Sequence, residues 1–209
     1  KKIFLAHSCL TTKIQQYLIL SKIAELNPKT VLEIGCGSGI TLKLLSDLFC
    51  EIHFSGVDQS IEGIKYAKRL KNQILNPIFK KQLNFQFNDI ENNTNLELYN
   101  QDARSLNFNN KTFDVVFSNL ALEQMDNIKY EVLSEIKRVA KNYLIFIEPF
   151  KNLNSFGLRY LHHKSKQYFN LNYKDIEDKD FEIIEFYDQL PSLLSLNYGM
   201  LVLKRKNLS

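Results

Sequence analysis

Long apolar runs are missing from this chain: no hydrophobic stretch approaches the roughly 20 residues that a membrane-spanning helix requires. No segment carries the charged, apolar and small-residue order of a signal peptide either. Cysteine is scarce. Cys9, Cys36 and Cys50 are odd in number and lack zinc-ligand spacing, so neither a disulfide framework nor a metal site is expected. A reducing cytoplasm is the simplest setting for such a chain. A dominant charge is missing too. Against 27 Lys and Arg stand 23 Asp and Glu, giving a formal net charge of +4, mixed along most of the length. General affinity for membranes or nucleic acid does not follow from that balance. Internal repeats and low-complexity tracts are absent as well, which excludes solenoids and fibrous folds.

What is present is globular. The 209 residues are 44% hydrophobic and 24% charged, enough for one domain over 1–209 with its own core. Thr12-Lys13-Ile14-Gln15 has the form of a capping box. It predicts a helix whose inner face is Ile14, Tyr17, Leu18, Ser21 and Ala24, stopped by Asn27-Pro28. Residues 1–27 are therefore read as an N-terminal helical cap. Strands are predicted at Thr30 to Ile34, Ile52 to Val57, Leu96 to Asn100, Phe113 to Ser118 and Tyr143 to Ile147, with a final hairpin from Phe181 to Tyr187 and Met200 to Lys204. Helices are predicted at Ile40 to Phe49, from Ser60 to about Asn72, and over 126–141. The alternation implies an α/β fold, a doubly wound and mainly parallel sheet with helices on both faces. Right-handed crossovers then bring every strand-to-helix loop to one edge, where ligands bind.

The most informative stretch is Val31-Leu32-Glu33-Ile34-Gly35-Cys36-Gly37-Ser38-Gly39. Three alternate glycines permit a tight turn from strand to helix and let a bulky ligand lie on bare backbone. A dinucleotide loop, G-x-G-x-x-G, needs its third glycine where Ile40 stands. Glu33 would repel a diphosphate and suits a cationic ligand. Asp58 ends the second strand and can accept hydrogen bonds from both hydroxyls of a ribose. Asp102 ends the third and can accept from an exocyclic amine, with the Ala103 amide beside it. Singly, each acid reads first as a surface carboxylate or a cap. Together they describe a pocket for a ribonucleoside bearing positive charge.

With these residues the chain resembles the class I S-adenosylmethionine-dependent methyltransferases, of the small-molecule type. The likeness rests on VLEIGCGSG (31–39), GVDQS (56–60), QDARSLNF (101–108) and FDVVFSNLALE (113–123), and covers about 12–150. It implies a seven-stranded, Rossmann-like sheet whose last strand runs antiparallel, with S-adenosylmethionine as cofactor. It also implies that Glu33, Gly35 and Gly37 line the methionine part, with Cys36 and Gly39 among the cofactor-binding residues of the same turn, and that Asp58 lies at the ribose. Gln59 and Ile61 would flank ribose and adenine, Asp102 and Ala103 would meet the adenine, and Ser118, Asn119 and Leu120 would run beside the reacting methyl.

Methyl transfer from a sulfonium is an in-line displacement, so alignment and exclusion of water matter most. A base is needed only for a protonated nucleophile. Gln124 stands where many such enzymes carry His, and it cannot act as a base. Glu123, His162 and His163 are the catalytic candidates, with His7 and Glu148 behind them. Glu123 reads equally as a first-turn helix residue, and Glu148-Pro149 as the end of a strand. Adjacent His162 and His163 point apart, which disfavours shared metal ligation. Asn119 is followed by Leu120-Ala121-Leu122 rather than Pro-Pro-aromatic, which disfavours N6-adenine methylation. Two segments, 74–95 and 151–174, are candidates for covering the substrate. The stretch from Phe150 to Lys174 lacks Asp and Glu but holds Lys151, Arg159, Lys164, Lys166 and Lys174 among Phe156, Tyr160, Tyr168, Phe169 and Tyr173. It suits an anionic or sugar-linked small molecule. It also reads as an ordinary amphipathic helix with solvated lysines. RNA is the alternative acceptor, and an inactive cofactor-binding domain the alternative to an enzyme.

Overall fold

The computed structural model describes residues 8–73, 95–155, 170–190 and 197–207. Seven strands, β1 (Thr30–Ile34), β2 (His53–Asp58), β3 (Leu96–Asn100), β4 (Phe113–Asn119), β5 (Ala140–Glu148), β6 (Phe181–Tyr187) and β7 (Gly199–Arg205), form one sheet. Their order is β3-β2-β1-β4-β5-β7-β6. The pairs β1–β2, β1–β4, β2–β3 and β4–β5 are parallel, while β7 runs antiparallel to both β5 and β6. The α/β alternation and the reversed last strand expected from the sequence are the architecture observed. The chain winds outward from β1 to β3 and then returns to the other side of β1 as β4. The β1–β4 boundary is thus the switch point at which open parallel sheets form crevices.

Helices α1 (Ser8–Leu26), α2 (Ile40–Leu48) and α3 (Ile61–Lys71) cover one face, and α4 (Lys129–Val139) the other. Strand alternation divides the core accordingly. Val31, Val115, Phe117 and Ile145 pack under α1–α3, whereas Leu32, Ile34, Val116 and Phe146 pack under α4. Phe117 and Phe146 are wholly buried on opposite faces, and truncating either to Ala would cost about 3–5 kcal/mol.

Two local expectations are corrected. Helix α1 begins at Ser8, so Thr12 lies within it rather than capping it. Its buried stripe is Gln15, Ile19 and Ile23 with Gln16 and Leu20, while Tyr17 is 57% exposed and Ala24 is exposed. Apolar residues occur on more than one side of this helix, so spacing alone leaves its phase open; contact of Ile19 and Ile23 with the Val31 face decides it. Second, Ala140 and Lys141 belong to β5 rather than to the preceding helix, and the register shifts between Phe113 and Val115 to accommodate the early start.

Residues 74–94 and 156–169, the greater part of both proposed covering segments, lie outside the described residues, as do His7, His162 and His163. Of the aromatic stretch, Tyr173 stacks on Phe186 with centroids 3.8 Å apart, and its neighbour Leu171 is buried in the core. Tyr173 therefore packs against the sheet. No helix among the described residues is long and apolar enough to cross a membrane.

Candidate active site

Beyond Ile34 the backbone turns through Gly35, Gly37 and Gly39 with φ of 69°, 51° and 73°, all left-handed values that side chains disfavour. The amides of Gly35 and Cys36 both donate to the Val57 carbonyl, at 2.8 and 3.0 Å, which ties the turn to β2. A Cβ on Gly35 would sit 2.3 Å from the Ala121 Cβ, and one on Gly39 would sit 2.8 Å from the Ala67 Cβ. Bare backbone is what lets the segment after β4 and helix α3 close on the turn.

Asp58 closes β2. Its Oδ2 accepts from the Gly37 amide and its Oδ1 from the Ser60 amide, each at 2.8 Å. Ser60 in turn caps α3 by accepting from the Gly63 amide at 3.0 Å. The aspartate is thereby oriented, and each oxygen keeps a free lone pair. Glu33 is buried at 4% exposure, and its Oε2 has no partner. Burial, then the charge of Asp58, pushes its carboxyl well above the usual range.

Asp102 lies two residues beyond β3 and is gripped by Arg104, whose Nε donates to both carboxylate oxygens at 3.1 and 3.0 Å and whose Nη2 donates at 2.6 Å. That guanidinium and the Arg104 amide hold the carboxyl down at about 2. The sequence signal for this pair was only an Arg two residues past the acid. Arg104→Ala is expected to return the Asp102 titration toward about 4 and to leave unfolding by urea unchanged, since the pair is exposed. NMR titration of Asp102 checks it; a midpoint that stays near 2 would show that the backbone amide alone sets the value.

After β4 the chain turns sharply. Leu120 has φ 55°, and its amide donates to the Ile147 carbonyl at 2.9 Å. A short 3₁₀ turn, Leu122–Gln124, follows. Glu148, at the end of β5 and wholly buried, accepts from Ser118 Oγ at 2.7 Å and from the amides of Ala121, Leu122 and Glu123 at 3.2, 3.1 and 3.2 Å. Burial, reinforced by the Glu123 charge and opposed by these hydrogen bonds, pushes Glu148 up to about 8. Burial alone pushes Glu123 up to about 7. The Oε2 of Glu123 and the Oδ1 of Asn119 are buried without a partner.

The Glu123 shift has a measurable consequence. A carboxyl raised from about 4.5 to about 7 is disfavoured in its charged folded form, so the fold loses stability as pH rises through that window and stays lower above it. Glu123→Gln is expected to stabilise the protein at pH 8 by at most about 3 kcal/mol, and hardly at all at pH 4. Urea unfolding at the two pH values tests this; equal effects would refute it.

The turn, the acids and the segment after β4 enclose a crevice of about 330 Å³. Of the residues singled out from sequence, Gly35, Gly37, Asp58, Gln59, Asp102, Ala103 and Leu120 are on its wall. Glu33, Asn119 and Glu123, each with a buried oxygen that lacks a partner, are neighbours in sequence of wall residues but are not themselves on the wall. Four others lie elsewhere. Ser118 is wholly buried against Glu148. Gly39 packs on Ala67, and Cys36 faces Gly56 with its thiol pushed up by burial. Ile61 is 58% exposed at the start of α3, off the wall. Sequence reasoning missed Val57, Gln101, Ala121, Met125 and Ile128, which complete the wall beside Gln124. The apolar spacing of Ala121, Met125 and Ile128 was the available signal.

The family model described as "Methyltransferase domain" matches residues 32–146. Over 146 residues the chain is 26% identical to malonyl-[acyl-carrier protein] O-methyltransferase of Bacillus anthracis, covering 70% of this chain and 44% of that protein. Over 116 residues it is 27% identical to ribosomal RNA small subunit methyltransferase C of Buchnera aphidicola, covering 56% and 30%. The chain thus spans less than half the length of these curated relatives. Among solved structures, the methyltransferase domain of bacterial CtHen1 superposes with a TM-score of 0.64 at 18% identity, covering 93% of this chain and 98% of that one. A SAM-dependent methyltransferase from Methanosarcina mazei superposes with a TM-score of 0.59 at 23% identity, covering 86% and 93%. A family match that runs from the strand before the glycine turn almost to the end of β5, on this sheet order, leaves one reading: the chain belongs to the methyltransferase-domain family, whose methyl donor is S-adenosylmethionine.

Proposed function

We propose that this chain binds S-adenosylmethionine in the crevice and transfers its methyl group in line to an oxygen or nitrogen of a small acceptor. The observation that carries the reading is one juxtaposition. A turn left bare at its three glycines, an oriented Asp58 with lone pairs to spare and a buried, unpartnered Glu33 oxygen meet at the sheet's switch point. That donor set fits a ribonucleoside with cationic ends: a buried carboxyl oxygen lacking a partner regains its charge when an ammonium or sulfonium comes near.

When bound, the cofactor supplies a methyl carbon already activated by sulfonium sulfur. The chain's residues do the rest. Asp58 accepts from the ribose hydroxyls, Asp102 and the Ala103 amide hold the adenine edge, and Glu33 with the backbone of Gly35 and Gly37 receives the methionine end. Leu120, Met125 and Ile128 keep water from the crevice. Glu123, titrating near neutrality, takes the proton of a hydroxyl or ammonium acceptor as the nucleophile is released. Gln124 on the wall orients but cannot deprotonate. The proposal of an anionic or sugar-linked acceptor rests on the basic, aromatic stretch after Phe150, most of which lies outside the described residues.

Calorimetry with S-adenosylhomocysteine and with NAD tests the cofactor, and binding of the first alone is expected. A tritium-transfer screen of small-molecule and RNA fractions then names the acceptor class. Label entering RNA would overturn the small-molecule reading, and absence of S-adenosylhomocysteine binding would overturn the whole proposal.

A further inference from the structure

We propose that Glu148 is the positioning residue of this site: its carboxyl group gathers Ser118 and the amides of Ala121, Leu122 and Glu123, and so fixes both the crevice wall and the place of the Glu123 side chain. The inference rests on the methyl-transfer reading for its function, but its geometry stands independently.

The register of β4 and β5 sets Asn119 opposite Ile147, and the Leu120 amide bonds to the Ile147 carbonyl. Glu148 therefore sits one residue beyond the last β4–β5 pair, where the departing segment crosses. A short helical turn begins there, and its first amides have no intrahelical partner. The residue at its N-cap, Ala121, supplies no side-chain acceptor. Glu148 supplies one from the neighbouring strand, receiving three successive amides on its two oxygens. Converging backbone amides of this kind favour an anionic acceptor. The Ser118 hydroxyl, donating at 2.7 Å from inside the sheet, fixes the carboxyl group from the other side.

Two features show what the clamp holds in place. Leu120 is left-handed without being glycine, a conformation that persists only where its surroundings impose it. Ala121 fits against Gly35 with no room for one further carbon. Loosening the clamp would let Leu120 relax and Ala121 withdraw, and the wall formed by Leu120, Ala121 and Gln124 would move with them. The Glu123 amide is the last of the four donors, so the same carboxyl group places the candidate base. Glu123 and Glu148 also feel one another's charge.

Glu148→Gln keeps the shape but fixes a donor in place of one of the two oxygens that accept in the ionised carboxyl group, so the two proteins are compared above the value of about 8 to which burial pushes Glu148. The folded variant is expected to bind S-adenosylhomocysteine at least tenfold more weakly by calorimetry, and hydrogen exchange at Ala121, Leu122 and Glu123 to speed up at least tenfold while β1 amides are unchanged. A role in general stability alone would lower the folded fraction and leave the affinity of folded protein intact, which would overturn the proposal. So would wild-type exchange at those three amides, a readout that needs no ligand. Should Glu148→Gln not fold, Ser118→Ala removes one donor that fixes the carboxyl group while leaving the three amides their acceptor. Its expected result is faster exchange at the same amides with a smaller loss of affinity, and no change in either would overturn the inference. Failure of the wild type to bind S-adenosylhomocysteine refutes the proposed function instead, leaving the exchange result to decide the clamp.

Discussion

Gly35→Ala is expected to abolish S-adenosylhomocysteine binding and to remove a large part of the protein's stability. Two penalties combine at this position. The backbone is left-handed, at φ 69°, which costs an alanine about 1–2 kcal/mol. The new methyl carbon would stand 2.3 Å from the Ala121 Cβ, and forced overpacking of this kind costs about 1–3 kcal/mol more. Ala121 cannot simply retreat, because its amide is bonded to Glu148 and Leu120 before it is pinned to Ile147. Gly37→Ala provides the internal comparison. Its φ of 51° carries the same backbone penalty, but nothing lies within 4 Å of the added carbon. Urea unfolding of the two variants should therefore show the Gly35 substitution costing about twice as much or more. Equal losses would mean that the turn tolerates the contact and that close approach of Ala121 is not what glycine is there to allow.

The same residues explain which parts of the molecule could be read from sequence. β1, β3 and β6 coincide with the predicted runs because each is a short apolar or alternating segment bounded by polar residues. The glycine spacing, the acid that closes β2 and the acid just beyond β3 are local patterns, and the crevice assembles around them. What escaped was non-local. The phase of α1 depends on which of several apolar stripes meets Val31, information that belongs to the sheet rather than the helix. Ser118 sits in a stretch that suggests ligand contact, yet it faces a carboxyl group 30 residues away. Glu148 reads in sequence as the end of a strand; only the β4–β5 register reveals that it closes the segment opposite. Met125 and Ile128 reach the crevice through a pair of 3₁₀ turns, which their apolar spacing alone does not distinguish from the start of an ordinary helix.

Asp58→Ala is expected to weaken S-adenosylhomocysteine binding by tenfold or more, about 1.4 kcal/mol, in a protein that still folds. The fold survives because β2 is held by β1 on one side and β3 on the other, and α3 keeps its own cap at Ser60. The binding loss has two sources that a second substitution separates. The carboxylate offers acceptors to the ribose, and it also fixes the Gly37 amide and hence the turn on which the methionine end would lie. Asp58→Asn retains one acceptor oxygen of the same reach. If orientation of Gly37 dominates, the amide variant should recover much of the lost affinity by keeping that bond. If paired acceptance from the two ribose hydroxyls dominates, it should bind almost as weakly as the alanine variant, because the amide nitrogen can only donate. Calorimetry with S-adenosylhomocysteine and with adenine alone distinguishes the cases, since adenine makes no use of the ribose contact and should bind all three proteins alike. Unchanged affinity of Asp58→Ala for S-adenosylhomocysteine would remove the ribose from this end of β2 and, with it, the orientation of the cofactor on which the assignment of Asp102 and Glu33 depends.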